Sequence, residues 1–266
     1  MEADERAFLA ALAPLARALN TCATSRGSRP APYVVAVGGG VAVGKSTVAR
    51  VLGEFAAAGP GRPEVAIVSL DSFLLRNTEL DAAGLSLRKG FPESYDADGI
   101  LRFMAAVRAG ERGLRVPVYS HERYDIVPGA STELPAADLL VVEGLHALAP
   151  LVDGSTLADL GVYVDAPPDA VFSWYLARFR KLLLEARDDP DSFFHAWSDL
   201  SGADADGLAT GAWQHINVVN LAQHIQPTRA AADVVIEKDA SHRVRLIDQT
   251  GRLAEGAARL SPGGSG

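Results

Sequence analysis

Residues 38 to 47 read GGGVAVGKST and follow directly on the apolar run YVVAV, residues 33 to 37. From Gly39 to Ser46 the chain satisfies G-x-x-x-x-G-K-[ST], the Walker A pattern, which marks a phosphate-binding loop when a strand precedes it and a helix follows. Gly39, Gly40 and Gly44, with Val41, Ala42 and Val43 between them, let backbone N–H groups converge on an anion, and the helix that opens at Lys45 adds its positive end. Lys45 can reach the outer phosphates and Ser46 can ligate Mg²⁺; Thr47 and Arg50 are placed with the nucleotide on the same helix. Asp71 and Glu143 each close an apolar strand, in SLD and VVEG, on the edge that carries the cradle. One carboxylate can take a proton while the other orders magnesium and its waters; the motif points to nucleotide binding and leaves open what is done with the nucleotide. The chain carries no Asn-Lys-x-Asp guanine signature, which disfavours a GTPase switch.

These side chains need a scaffold, and the hydrophobic pattern supplies one. Short β-rich runs at 33–37, 65–70, 139–143, 161–165 and 232–237 alternate with helical patterns at 45–58, 97–109, 168–187 and 207–225. Runs apolar on both faces suit a parallel sheet covered by helices, so the expected fold is α/β, a P-loop fold with a doubly wound, mainly parallel sheet flanked by helices. In such sheets ligands sit outside the carboxyl ends of the strands. LRVPVYSHERYDIV, 114 to 127, reads as a pair of short strands, and the helical stretch after residue 168 as a lid. Expected boundaries are an N-terminal helix over 1–24, a linker over 25–32, a kinase domain over 33–250 with its lid at about 168–228, and a C-terminal tail over 251–266. Phe8, Leu12, Leu15 and Leu19 keep helical spacing, with Pro14 a candidate interruption. No internal repeat is evident.

With 266 residues and 48% hydrophobic composition the chain can bury a sizeable core. Its one cysteine, Cys22, excludes an internal disulfide framework and fits a reducing compartment, hence a cytoplasmic reading. A net charge of −8 argues against a nucleic-acid partner. Glu2, Asp4 and Glu5 ahead of the first apolar stretch give the wrong charge order for a secretory signal. No apolar run reaches the ~18 residues needed to span a membrane, so no membrane partner is expected. The six histidines show no metal spacing with cysteine; His215 and His224 read as ordinary helix residues.

Beyond the Walker A, KGFPESYD (89–96), PVYSHERYD (117–125), EGL (143–145), YVDAP (163–167), DPDSFFH (189–195) and INVVNLAQHIQPTR (216–229) together resemble bacterial type I pantothenate kinase, in the same order and over roughly residues 33 to 247. The architecture is shared with uridine kinases and phosphoribulokinases. The resemblance implies ATP-dependent phosphorylation of pantothenate at its primary hydroxyl, toward coenzyme A. It makes Asp71 the catalytic base, Lys45 and Ser46 the phosphate and magnesium residues with Glu143 supporting the metal, and Arg178 the cation that neutralises charge during transfer. It puts Tyr119, His121, Tyr124, Tyr175, Phe179 and Asn217 around the acceptor, His242 near adenine, and Phe193, Phe194 and Trp197 beside the pantothenate tail or the thiol end of coenzyme A. His146 stands where the family usually has asparagine. The resemblance further implies a homodimer and coenzyme A as a feedback inhibitor. From the residues alone, Tyr175, Arg178, Phe179 and Leu182 share one helix face, where packing is the commoner role for aromatic rings. A kinase for another small alcohol, a nucleoside or a hydroxy acid, and a non-catalytic nucleotide or coenzyme A sensor remain open at this stage.

Overall fold

The computed structural model describes residues 2–25, 30–151 and 154–251. Positions 26–29 of the expected linker, and the expected tail beyond Gly251, lie outside the described residues. The strands are β1 (Tyr33–Gly39), β2 (Val65–Ser69), β3 (Arg115–Ser120), β4 (Asp125–Glu133), β5 (Leu139–Glu143), β6 (Leu160–Asp165), β7 (Val234–Lys238) and β8 (Val244–Asp248). Six of them make one sheet in the order β2, β5, β1, β6, β7, β8, parallel throughout except for the antiparallel β7–β8 pair. β3 and β4 pair only with each other, as a separate antiparallel hairpin.

Helices cover both faces, which is why β5 is buried along its whole length and reads as a continuous apolar run. On one face, α2 (Lys45–Ala58) lays Val48, Leu52 and Ala56 against Val35, Val37 and Val141, and α1 (Glu2–Thr24) packs outside it through Leu12, Leu15 and Leu19. Each of those three leucines is fully buried, a contribution of about 1.5–3 kcal/mol apiece. Pro14 does not break α1. Its ring faces solvent, as does Ala10 one turn earlier, so the carbonyl that loses its partner is accessible to water. Arg6–Thr24 reaches a mean hydropathy of 1.2 and is long and apolar enough to cross a membrane by length and composition, contrary to the sequence expectation. In the fold its leucine stripe is spent on α2 and the sheet.

On the other face α4 (Ala97–Ala109) packs Ile100, Phe103, Met104 and Val107 against Val34, Ala36, Val68 and Val142. Its ends follow from local chemistry. Asp96 accepts from the Gly99 N–H, and Gly110 takes up φ +73° to stop the helix. The short α3 (Asn77–Ala82) lies between β2 and α4.

A further helical layer follows β6. α5 (Pro168–Glu185) and α6 (Gly202–Ala212) enclose a small core of Leu183, Ala186, Phe194 and Ala205. α6 begins at residue 202, earlier than the 207 expected, because Ser201 caps it at the Asp204 N–H while Gly202 and Gly207 weaken the helical pattern. It then runs on through π turns Trp213–Asn217 and Leu221–Ile225, joined by the helical turn Val218–Asn220, into a 3₁₀ segment at Gln226–Ala231. β8 also escaped the sequence reading. Its VRLID pattern makes an edge strand with Arg245 turned outward onto Glu237.

Candidate active site

The loop between β1 and α2 takes left-handed backbone at Gly39, Ala42 and Gly44, and two of those three positions are glycine. Gly39 sits at φ +141°, and a Cβ there would stand 2.4 Å from the Val164 carbonyl oxygen of β6. Gly44 sits at φ +94° and leads directly into α2, whose positive end therefore points into the loop. Lys45 Nζ donates to the Gly40 carbonyl at 2.8 Å, spanning the cradle it is expected to fill. Ser46 Oγ donates to Glu143 Oε1 at 3.1 Å, which brings a hydroxyl and a buried carboxylate together at the mouth of the loop. A cavity of about 200 Å³ opens here, lined by Ala42, Gly44, Lys45, Ser46, Thr47, Trp174 and Arg178.

Asp71 stands just past β2, in a 3₁₀ turn held by Ser69, which accepts from the Asp71 N–H at 3.3 Å. Burial, then the nearby Glu143 carboxylate, hold the Asp71 carboxyl above its ordinary value of 3.8; His121, Lys45 and Arg178 pull it back. Burial likewise lowers the Lys45 ammonium, against the pull of Glu143 and Asp71. Cradle, two carboxylates, His121 and Arg178 thus share one electrostatic field, although they come from five segments of the chain.

The hairpin and α5 supply an aromatic wall. Tyr119 lies on β3, His121 in the turn, and Tyr124 at the head of β4 with φ +50°. The Tyr119 ring meets His121 at 5.3 Å and Tyr124 at 6.4 Å, while Tyr124 continues to Phe193 at 4.9 Å and Phe194 at 6.0 Å. Phe179 joins Phe194 at 6.1 Å, and burial raises the Tyr175 hydroxyl while the nearby Asn217 side chain offsets part of that rise. Burial pushes the Tyr124 hydroxyl up to about 12 and that of Tyr119 higher still, so both stay protonated donors at neutral pH.

Two predicted residues stand apart. Arg50 forms a 2.9 Å ion pair with Glu54 on the exposed side of α2 and is absent from the cavity lining. His242 is likewise absent from the lining and stacks at 4.3 Å on Trp174, which walls the cavity. His224, read as an ordinary helix residue, packs its ring on Phe91 and His146. Two participants were not read from the sequence. Lys238 Nζ donates to the Val43 carbonyl at 2.9 Å from beneath the loop and lies 4.8 Å over the Trp174 ring. Lys89, only 8% exposed, donates to Asn77 Oδ1 and to the Tyr124 carbonyl, 3.9 Å from Asp125. Its place at the head of KGFPESYD was the one available signal.

Comparison with known proteins settles the lineage. The family model described as phosphoribulokinase / uridine kinase family matches residues 34–181. The chain is 45% identical over 225 residues to the pantothenate kinase of Paenarthrobacter aurescens, covering 81% of this chain and 70% of that protein. It is 44% identical over 250 residues to the pantothenate kinase of Streptomyces avermitilis, covering 90% and 76% respectively. The chain belongs to that family, and within it to the pantothenate kinases. Among solved structures, D-glycerate 3-kinase from Cryptococcus neoformans superposes with a TM-score of 0.61 at 13% identity, covering 87% of this chain and 96% of that one, a likeness of fold.

Proposed function

We propose that this pantothenate kinase family member transfers the γ-phosphoryl group of ATP to the primary hydroxyl of pantothenate, giving 4'-phosphopantothenate, the first step of coenzyme A biosynthesis. The observation that carries this reading is the position of Asp71, which shares a field with Lys45, Glu143 and Arg178 on one side and with His121 on the other. Asp71 takes the proton from the acceptor hydroxyl as its oxygen forms a bond to the γ-phosphorus. The bond from that phosphorus to the β–γ bridging oxygen breaks, and ADP leaves. Lys45, drawn from the Gly40 carbonyl, and Arg178 neutralise charge gathered on the transferred group. Catalysis is mostly positioning and electrostatics.

The Ser46–Glu143 pair fits a hard divalent cation, which takes oxygen ligands and keeps several waters. Ser46 would hold Mg²⁺ there and Glu143 would order its waters, and the ion would supply positive charge against the phosphates. Loop residues 39–47 cradle the phosphates, and His242, stacked on Trp174, lies toward the base. Tyr119, His121, Tyr124, Tyr175, Phe179 and Asn217 enclose the acceptor, and residues 168–228 act as the lid of a kinase domain spanning 33–250. The reading extends to a cytoplasmic homodimer inhibited by coenzyme A, whose pantetheine arm would lie along Phe193, Phe194 and Trp197. ADP release measured with pantothenate, uridine and simple hydroxy acids tests the assignment. ADP formed with pantothenate alone supports it, ADP with another alcohol replaces the substrate, and ligand binding without ADP from any acceptor refutes a kinase.

A further inference from the structure

Two side chains that the kinase reading does not use meet on one backbone oxygen behind the aromatic wall. His146 Nε2 donates to the Gly90 carbonyl at 2.8 Å, and Asn220 Nδ2 donates to the same oxygen at 2.7 Å. A carbonyl oxygen carries two lone pairs, so this acceptor is fully used. His146 belongs to the turn after β5, three residues past Glu143; Asn220 belongs to the helical turn between the two π turns of the α6 extension. Their remaining polar atoms, His146 Nδ1 and Asn220 Oδ1, are buried and bond to no other protein group, so both side chains are committed to Gly90 alone.

Gly90 is a sensitive point to hold. It sits at φ +89°, next to Lys89, whose ammonium grips the Tyr124 carbonyl and the Asn77 side chain. A conformation open chiefly to glycine thus orients the lysine that backs the acceptor wall. The π turns are a second, independent pointer, because such wide turns are rare and concentrate at functional sites. Here they bracket Asn220 and bring it to Gly90.

We propose that His146 and Asn220 are positioning residues whose joint hold on the Gly90 carbonyl ties the helical layer to the loop at 89–91, and so sets the Lys89–Tyr124 contact that shapes the acceptor site. The consequence for turnover rests on the kinase reading above; the mechanical link does not. Asn220→Leu and His146→Phe remove one donor each, and His146→Gln keeps an N–H at the reach of Nε2. Asn220→Asp, which has the shape of asparagine without the donor, replaces the leucine variant if that fails to fold.

Amide hydrogen exchange over residues 88–95, measured without ligand, is expected to quicken in Asn220→Leu and His146→Phe and to stay near the parent rate in His146→Gln. In turnover, KM for pantothenate rises roughly three- to tenfold in the two donor-less variants, the range expected for one net hydrogen bond. KM for ATP stays within about twofold, since the cradle is untouched. Unchanged exchange over 88–95, or an equal rise in both KM values, overturns the proposal. A parent protein that releases no ADP with pantothenate refutes the proposed function instead, and the exchange measurement alone then decides the link.

Discussion

The three consecutive glycines at the entry to the phosphate loop make a sharp test, because geometry assigns them unequal roles. Gly39→Ala would place a Cβ 2.4 Å from the Val164 carbonyl oxygen and 3.3 Å from Val43 Cγ1, at φ +141°. Val164 cannot retreat, since it is held in register between Gly39 on β1 and Ile236 on β7. Backbone strain of ~1–3 kcal/mol and overpacking of ~1–3 kcal/mol add to about 2–6 kcal/mol, a large part of a typical ~5–15 kcal/mol stability. At ~2–4 °C per kcal/mol, Tm should fall by about 4 °C at least. Gly40→Ala is the control: its Cβ meets only Leu221 Cδ1 at 3.4 Å, with no positive φ, so the change should stay within about 0.5 kcal/mol. Gly38→Ala falls between them, because its clash at 2.8 Å is with the flexible Leu148 side chain. Thermal unfolding of the three variants, with ATP affinity by calorimetry, reads the ranking. Equal losses at Gly39 and Gly40, or a Gly39→Ala protein melting with the parent, would refute the assignment of the loop's shape to Gly39.

Asp71→Asn should lower kcat by ~10²–10⁴ while ATP affinity is kept, as for loss of a general base. Because burial and Glu143 hold the Asp71 carboxyl above 3.8, its protonated form favours folding and that stability is lost as pH rises through the folded-state value; Asp71→Asn should therefore raise Tm near neutral pH. Melting curves from pH 4 to 8 check the sign, and a variant less stable than the parent at pH 7 contradicts it. For the same reason the acid limb of kcat/KM should lie above 3.8 in the parent protein. Arg178→Ala should cost about a thousandfold in kcat with little change in ATP affinity, read by single-turnover kinetics. Pro14→Ala should stabilise α1 by up to about 3 kcal/mol, since it restores a helical N–H at an exposed position; urea unfolding would show a higher midpoint.

The phosphate loop was legible because its residues are local and their conformations extreme: a run of glycines, then Lys45, can do little else at the end of a buried strand. α2 and α4 were read to their observed ends for a similar reason, since Gly44 and Gly110 by their left-handed backbone, and Asp96 by its side-chain cap, start or stop helices locally. The acceptor wall was not legible in that way. Tyr119, Tyr124 and Tyr175 are ordinary core candidates until the hairpin and α5 meet, and only the family resemblance singled them out. Lys89 and Lys238 escaped because a lysine in a sequence is read as solvated, and both are 8% exposed. Their burial depends on acceptors that arrive from elsewhere: the Tyr124 carbonyl and the Val43 carbonyl. The π turns were invisible because their side chains keep a helical alternation while the backbone widens around Asn217 and Asn220.

The β3–β4 hairpin hydrogen-bonds in a sheet of its own, apart from the six strands that carry the loop, Asp71 and Glu143. If Tyr119, His121 and Tyr124 contact the acceptor as proposed, heritable change in which alcohol is welcomed can accumulate in that flap while the ribs beneath keep their register. A lineage built this way can diversify its diet without relearning how to handle triphosphate.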